Sequence, residues 1–245
     1  MTTPADPEYF GILAELQDAI GASTKGLGMA KVALKLLKEK VDNINLKLSA
    51  RYDRIISTSS IEVEDASVQL EGEWFRSVPL KFLRTPLGTD GSRLHPGRYH
   101  QQTSGGAIYF TDSAVNATAE RQLKLNPEIF VTLPAKIKLT KVLDLTNPKV
   151  VESLVLDEHI LRMEWRFMLD IVEATPLTHV IGDCARKHLY EAIKFNSVRT
   201  DGSFNIVIFP DALNVHSCIE VFDKDNAMND IGAKPEDMKM QGIMP

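Results

Sequence analysis

A small set of residues with the chemistry to act on a nucleotide follows one another along this chain. Arg76, Arg98, Tyr109 and Glu120 come first, the last three at equal intervals, and Ser197 comes much later. A carboxylate stabilises the positive charge that develops on a ribose when its bond to a base breaks. Guanidinium groups bind pyrophosphate, an aromatic ring offers a face to a base, and a serine hydroxyl hydrogen-bonds a ribose. Together these residue types predict a site for a dinucleotide.

Each of these residues, taken singly, also has an ordinary structural explanation. Glu120 fits the solvated face of a helix, and Arg76 fits a surface salt bridge on an amphipathic strand. Tyr109 lies between Ile108 and Phe110 and fits a hydrophobic core, while Ser197 fits a turn. The functional hypothesis therefore depends on the combination and the order of the residues.

The elements that must position this site are short strands and helices in mixed order. Aromatic and aliphatic residues predict strands at 74–78 and 107–111, and the glycine-rich stretch 85–106 between them predicts a loop. Asp112 or Ser113 is expected to cap the helix that carries Glu120. Further strands are expected at 129–145 around a turn at Pro134, and at 190–195, 205–209 and 217–222, with helices starting near 147, 160 and 175. Because no regular βαβ alternation is visible, this order indicates an α+β fold.

Residues 1–70 follow a different pattern. A short helix is expected at 8–20, and from residue 27 onward apolar residues alternate spacings of three and four, as in a heptad seam. The seam consists of Leu27, Ala30, Leu34, Leu37, Val41, Ile44 and Leu48. Three interpretations are open: a helix packed on its own domain, a helix paired with a second copy or another protein, and a basic helix on a membrane surface. Since a dinucleotide site has no need of the seam, we assign it to self-association or to docking on a partner.

Composition excludes several classes of protein. The chain has 245 residues, a formal net charge of −5 and only two cysteines, Cys184 and Cys218. We therefore expect no nucleic-acid partner, no disulfide framework and no metal site, and the scattered histidines have no metal-ligand spacing. The first twenty residues lack a Sec signal, and no apolar run is long enough for a membrane span. We expect a cytoplasmic protein, with delivery to another cell by a specialised secretion system as an open alternative.

Four segments resemble the RES domain family, which is named for its Arg, Glu and Ser. The segments are Trp74-Phe75-Arg76-Ser77-Val78, Gly97-Arg98-Tyr99, Ala107-Ile108-Tyr109-Phe110-Thr111-Asp112-Ser113 with Ala119-Glu120, and Asn196-Ser197-Val198-Arg199 with the strand after it. The resemblance covers about residues 70–222. It departs from the family pattern where Pro96 replaces a glycine, Tyr99 a tryptophan and His100 an asparagine.

The resemblance implies a fold and a role for each matching residue. It implies an ADP-ribosyltransferase-like mixed β-sheet core with flanking helices over 71–222, preceded by a helical extension over 1–70 and followed by a loosely packed C-terminal tail over 223–245. It implies that Glu120 is the essential acid, that Arg76 and Arg98 bind the dinucleotide, that Tyr109 faces the nicotinamide ribose and that Ser197 completes the site. We add Tyr99 and Arg199 to the expected binding residues.

The function implied by the resemblance is that of a toxin that depletes NAD. NAD is then the substrate, no cofactor is needed, and phosphate or water takes up the ADP-ribose group. The resemblance also implies a helix-turn-helix antitoxin or an immunity protein as a partner. An ADP-ribosyltransferase acting on a protein or another macromolecule is the alternative, and a non-catalytic nucleotide-binding module is the second one.

Overall fold

Five strands of the chain close into a ring. The computed structural model describes residues 27–57, 67–120, 128–154, 156, 161–162, 164–223 and 227–242. The ring strands are β1 (Ser67–Pro79), β2 (Ile108–Thr111), β3 (Phe130–Asp144), β4 (Ala192–Asn196) and β5 (Phe204–Ile208). Their order is β1-β2-β5-β4-β3, and β1 also pairs with β3, which closes the ring. The strands β6 (Cys218–Val221) and β7 (Lys239–Gln241) extend the sheet from β3.

The helices lie around this sheet and between its strands in sequence. They are α1 (Leu27–Ser57), α2 (Asp90–Leu94), α3 (Ala114–Ala119), α4 (Pro148–Ser153), α5 (Trp165–Phe167), α6 (Leu177–Lys187), α7 (Ala227–Asp230) and α8 (Pro235–Met238). A π-helical turn, Met168–Val172, continues α5, and short 3₁₀ turns occupy Leu80–Phe82, Gln102–Ser104 and Pro210–Ala212. A mixed sheet with flanking helices is an α+β fold, as the element order predicts. The helix expected at 8–20 lies outside the described residues.

Strand alternation divides the apolar side chains into two cores. Ile108 and Phe110 of β2 belong to the core to which all five ring strands contribute, so this inner core fills the ring. Tyr109, between them, packs against the outer core, which lies between the sheet and the helices. Successive residues of a strand point to opposite faces, and the pairing register extends this division to neighbouring strands. The faces of the ring therefore decide which polar residues can meet.

Strand β3 corrects the expected turn at Pro134, because it runs through this residue without a break. Pro134 pairs with Phe75 of β1, and its carbonyl accepts a hydrogen bond from Phe222 N–H at 2.9 Å. The pairing of β6 with β3 ends at Ala135, so the proline lies just beyond it, where a missing N–H is tolerated.

The C-terminal segment also differs from the expectation of loose packing. Met228, Ala233 and Met238 belong to the inner core, and each is at most 8% exposed. Strand β7 pairs with β6, which attaches residues 239–241 to the sheet. The described part of the segment after 223 is thus built into the fold rather than appended to it.

Helix α1 packs against the rest of the chain through one face. Val41 is 3% exposed and belongs to the outer core, and Leu34 packs against the same core. Asn45 Nδ2 donates to Thr175 O at 2.7 Å, and at the end of α6 Asp53 forms an ion pair with Lys187 and a hydrogen bond with His188 Nε2 at 3.2 Å. For the described side chains of the seam, the first of the three interpretations is observed. Pairing of this helix with a second copy stays a prediction.

Helix α6 is held close to the loop that precedes β2. A Cβ on Gly182 would lie 2.0 Å from Tyr99 O, so only glycine permits this approach. On the same face, His179 Nε2 donates to Gly97 O at 2.7 Å, and Asp183 accepts hydrogen bonds from Gln101 and Ser104. The spacing of 179, 182 and 183 places these positions on one side of the helix. Helix α6 thereby shapes the loop over residues 97–104.

Val41→Ala should destabilise the folded chain, whereas Val32→Ala should not. Val41 is buried in the outer core, and its truncation leaves a cavity, with an expected loss of about 1–3 kcal/mol in the free energy of unfolding. Val32 lies on the opposite face of α1 and is 63% exposed, so the same substitution should change stability by less than about 0.5 kcal/mol. Urea unfolding of the two variants measures the difference. Equal stabilities would mean that α1 is not docked in solution.

Candidate functional site

Glu120 lies at the C-terminal end of helix α3, whose position is fixed at both ends. Ser113 caps the helix by accepting a hydrogen bond from Asn116 N–H at 3.1 Å, as the sequence predicts for this position. Ser77 Oγ of β1 donates to Ala117 O at 2.9 Å. The cap and the contact with β1 set the direction of the helix, and Glu120 follows directly after its last turn.

One carboxylate oxygen of Glu120 is bound by two neutral groups. Asn205 Nδ2 donates to Glu120 Oε1 at 2.9 Å, and Ser197 Oγ lies 3.2 Å from the same oxygen. Glu120 is half-buried, whereas Ser197 is 1% exposed. Both of these hydrogen bonds use Oε1, so the described residues orient the carboxylate through this oxygen.

Asn116 closes these contacts into a ring of hydrogen bonds. Asn116 Nδ2 donates to Asn205 Oδ1 at 3.1 Å, and Asn116 Oδ1 lies 3.2 Å from Ser197 Oγ. The main-chain N–H groups of Arg199 and Thr200 donate to Ser197 Oγ at 3.1 and 3.2 Å. Ser197 Oγ, with its single proton, lies between the two acceptors Glu120 Oε1 and Asn116 Oδ1, and the connected contacts hold the four side chains in one arrangement. We name these four residues, Asn116, Glu120, Ser197 and Asn205, the carboxylate ring.

Sequence reasoning missed the two asparagines of the carboxylate ring. Asn205 is the second residue of the apolar strand β5, and Asn116 lies inside a helix, where asparagine is a weak former. Both are buried, at 7% and 0% exposure. A polar residue at a position that the strand or helix pattern assigns to the core is the signal that points to such a network.

A second group of contacts surrounds the Tyr109 hydroxyl. Tyr99 N–H donates to Tyr109 Oη at 3.1 Å, and His100 Nδ1 lies 3.0 Å from the same oxygen. A Cβ on Gly97 would lie 2.6 Å from Tyr109 Oη, so the hydroxyl occupies space that only a glycine leaves open. Burial raises the pKa of Tyr109 and lowers the pKa of His100. Both groups are therefore neutral at neutral pH.

Strand register places Tyr109 and the carboxylate ring on one face of the sheet. Tyr109 lies opposite Val207, and Asn205, two residues away on β5, lies opposite Thr111. Positions related in this way are diagonal neighbours, roughly 7–8 Å apart between Cα atoms. The aromatic ring of Tyr109 and the carboxylate of Glu120 thus flank the same stretch of β5.

The contacts described for the two predicted arginines, Arg76 and Arg98, are made with residues other than Glu120 and Tyr109. Arg76 lies opposite Leu133 and on the face of Phe110, with its guanidinium carbon 5.9 Å from the Phe110 ring centre, so it belongs to the inner-core face of β1. Arg98 Nη1 donates to Leu161 O at 2.8 Å. The structure thus separates Arg76 by strand alternation from the face that carries Tyr109 and Glu120.

Tyr99 and Arg199 contribute to the site mainly through their main chains. Tyr99 is 1% exposed, and its ring packs on Phe195 at 4.7 Å between ring centres. Its N–H supports Tyr109, as the Arg199 N–H supports Ser197. The Arg199 side chain is exposed at the edge of the carboxylate ring.

The described residues carry no cluster of histidine, cysteine, aspartate or glutamate that could hold a metal ion. Cys184 is buried, and burial raises the pKa of its thiol to about 11, which makes it unreactive at neutral pH. Within the parts of the chain that the structure covers, no helix is long and apolar enough to cross a membrane.

Comparison with known proteins identifies the family of the chain. A chain of the crystal structure of the M. tuberculosis MbcT-MbcA toxin-antitoxin complex is similar, with 18% sequence identity, a TM-score of 0.45, and coverage of 66% of this chain and 80% of that chain. No curated protein matches by sequence. The family model of the RES domain matches residues 73–227, which is more than half of the chain and includes Arg76, Tyr109, Glu120 and Ser197. The chain belongs to the RES domain family.

Proposed function

We propose that this protein cleaves the nicotinamide-ribose bond of NAD by phosphorolysis or hydrolysis and acts as a toxin by depleting NAD. The observation that carries the proposal is the half-buried carboxylate of Glu120, held through Oε1 by Ser197 and Asn205 on the same face of the sheet as Tyr109. Membership of the RES domain family supports the same activity through the resemblance of the site residues.

The contacts of Glu120 fit the charge that such a reaction develops. When the bond between the ribose C1 atom and the nicotinamide nitrogen breaks, the electron pair goes to the nitrogen, nicotinamide leaves neutral, and the ribose becomes an oxocarbenium ion. Neutral donors orient a carboxylate without cancelling its charge, so Glu120 remains able to stabilise this cation. An oxygen of phosphate or water then bonds to C1, and the proton of that nucleophile is released to solvent.

The antitoxin partner belongs to this proposal. Members of the family usually pair with a helix-turn-helix antitoxin that blocks the pocket, and we infer the same kind of partner here. A cell that makes an NAD-consuming enzyme needs such a block, since the substrate is always present. An immunity protein would serve the same purpose if the toxin is delivered to a rival cell.

Product analysis tests the reaction directly. NAD incubated with purified protein is followed by phosphorus NMR with and without phosphate. ADP-ribose-1″-phosphate indicates phosphorolysis, and free ADP-ribose indicates hydrolysis. An ADP-ribose adduct on a protein would replace the proposal by the transferase alternative, and unchanged NAD in both reactions would reject it.

Glu120→Gln should reduce NAD turnover roughly 10²–10⁴-fold while the fold is retained, because the amide keeps the shape and removes the stabilising charge. Glu152→Gln is the matched control, since Glu152 is exposed on α4. The initial rate of NAD loss measures both variants, and bacterial growth on expression gives a second readout. Turnover by Glu120→Gln at the wild-type rate would show that Glu120 is not the essential acid.

Asn205→Asp should lower kcat about 10–100-fold, because a carboxylate in place of the Nδ2 donor repels Glu120 at a distance of 2.9 Å. Asn147→Asp is a control with the same chemical change. Asn147 caps α4 with its side-chain oxygen, a task that aspartate performs equally well. Steady-state kinetics on both variants decides the matter, and an unchanged kcat in Asn205→Asp would mean that Asn205 does not position Glu120.

Arg76→Ala tests the pyrophosphate contact that the family resemblance assigns to Arg76, since the position of this residue on the inner-core face, away from Tyr109 and Glu120, instead predicts an unchanged affinity for NAD. Calorimetry with NAD and the inactive Glu120→Gln background separates binding from turnover. An affinity equal to that of the background would reject the contact. In that case the guanidinium contributes to packing beside Phe110 on the inner-core face, and its removal should lower the free energy of unfolding measured with urea.

A further inference from the structure

His100 connects the loop before β2 to Tyr109 through both nitrogens of its ring. Nε2 lies 3.1 Å from Ser92 O and 3.1 Å from His95 O, while Nδ1 lies 3.0 Å from Tyr109 Oη. The side chain is 2% exposed. The imidazole therefore lies between the end of α2 and the strand that carries Tyr109.

The partners of the ring determine its tautomer. Main-chain carbonyls only accept hydrogen bonds, so Nε2 must carry the proton. A neutral imidazole then has a lone pair at Nδ1, which accepts a hydrogen bond from the Tyr109 hydroxyl. The direction of the hydrogen bond from Tyr109 to His100 follows from these carbonyls.

The Tyr109 hydroxyl is consequently committed within the protein. The hydroxyl donates a hydrogen bond to His100 Nδ1, and one of its lone pairs accepts a hydrogen bond from Tyr99 N–H at 3.1 Å. Tyr109 has no proton left to give to a substrate. A ligand can meet only the ring face and the remaining lone pair of the oxygen.

We propose that His100 is a positioning residue for the reaction. It fixes the Tyr109 ring by accepting a hydrogen bond from the Tyr109 hydroxyl at Nδ1. This inference rests on the proposed function, since it gives the fixed ring the task of facing the ribose of NAD. His100 also tethers the loop through Nε2. The positioning role belongs to Nδ1 and the structural role to Nε2, and the two roles can be separated.

Two amide substitutions separate them. In His100→Asn the side-chain oxygen falls near the position of Nδ1, so it can still accept from Tyr109, while the donor to Ser92 and His95 is lost. In His100→Gln the side-chain nitrogen falls near Nε2 and still donates to the two carbonyls, while the acceptor for Tyr109 is lost. His95→Gln is the control, because the His95 side chain is exposed and only its carbonyl contacts His100.

Activity and stability should rank the variants in opposite orders. We expect kcat/KM for NAD to stay within about threefold of wild type in His100→Asn and to fall about tenfold in His100→Gln, the scale of one lost hydrogen bond to a buried hydroxyl. The melting temperature should fall in His100→Asn and stay closer to wild type in His100→Gln. His95→Gln should match wild type in both measurements. Activity that simply follows stability, with His100→Asn the less active variant, would overturn the positioning role.

A double-mutant cycle identifies the group through which His100 acts. If His100 acts through the Tyr109 hydroxyl, His100→Gln should cause no further loss of kcat/KM in a Tyr109→Phe background. Additive losses in the double variant would overturn the proposal. Both outcomes are read per folded molecule, with the folded fraction taken from circular dichroism.

Nitrogen NMR tests the hydrogen bond without any reaction. Long-range proton-nitrogen spectra of the wild-type protein at neutral pH should show the Nε2–H tautomer of His100, and Tyr109→Phe should shift its Nδ1 resonance. A protonated Nδ1 would overturn the proposal even if NAD is cleaved. If NAD is not cleaved, the proposed function fails by product analysis, and a catalytic positioning role for His100 fails with it.

Discussion

The close approach of helix α6 to the loop before β2 is the constraint on which the site depends. Gly182 allows Tyr99 O to lie 2.0 Å from the position that a Cβ would occupy, and His179 donates to Gly97 O at 2.7 Å. Asp183 accepts hydrogen bonds from Gln101 and Ser104, which follow Tyr99 in the same loop. A loop that has only one short 3₁₀ turn of its own gains a single conformation when its polar groups are satisfied by a rigid neighbour.

Helix α6 also contacts the N-terminal helix α1. Cys184 contacts Ser49 at 4.0 Å, and Asp53 pairs with Lys187 and His188. The pairing with Lys187 lowers the pKa of Asp53, so the carboxylate is charged at neutral pH. Helix α1 therefore packs against α6, the helix that shapes the loop over residues 97–104. It also leaves Val32, Leu36 and Leu46 exposed on its outer face, at 56–72%.

The two halves of the site are built in different ways. In the carboxylate ring the neutral side chains of Asn116, Ser197 and Asn205 surround Glu120, and their hydrogen bonds set the direction of its carboxylate. Tyr109, by contrast, is held by its hydroxyl from the loop side, through His100 and Tyr99. Strand β5 joins the halves, because its register with β2 places Asn205 and Tyr109 on one face. Orientation of both groups before a ligand binds lowers the entropic cost of reaching a reactive geometry.

The sequence by itself determined the family, the α+β class and most of the elements around the site. Short aromatic strands and the Ser113 cap follow from local pattern. The matching motifs assign Glu120 and Ser197 to one site, and in the structure Ser197 Oγ lies 3.2 Å from Glu120 Oε1. The predicted turn at Pro134 is wrong. The strand continues through this residue because the pairing of β6 with β3 ends at Ala135, and a proline just beyond that point is tolerated without an N–H. The roles of the matched residues toward NAD stay predictions.

Only the tertiary structure decided which polar groups meet. Asn116 and Asn205 are 89 residues apart in sequence, and nothing local pairs them. Likewise, the tautomer of His100 follows from two carbonyls that the loop folds back onto it, and the inward direction of Arg76 follows from the register of β1. Local sequence specifies how a segment folds, whereas contacts between distant segments depend on strand register and helix packing, which are set by burial over the whole chain.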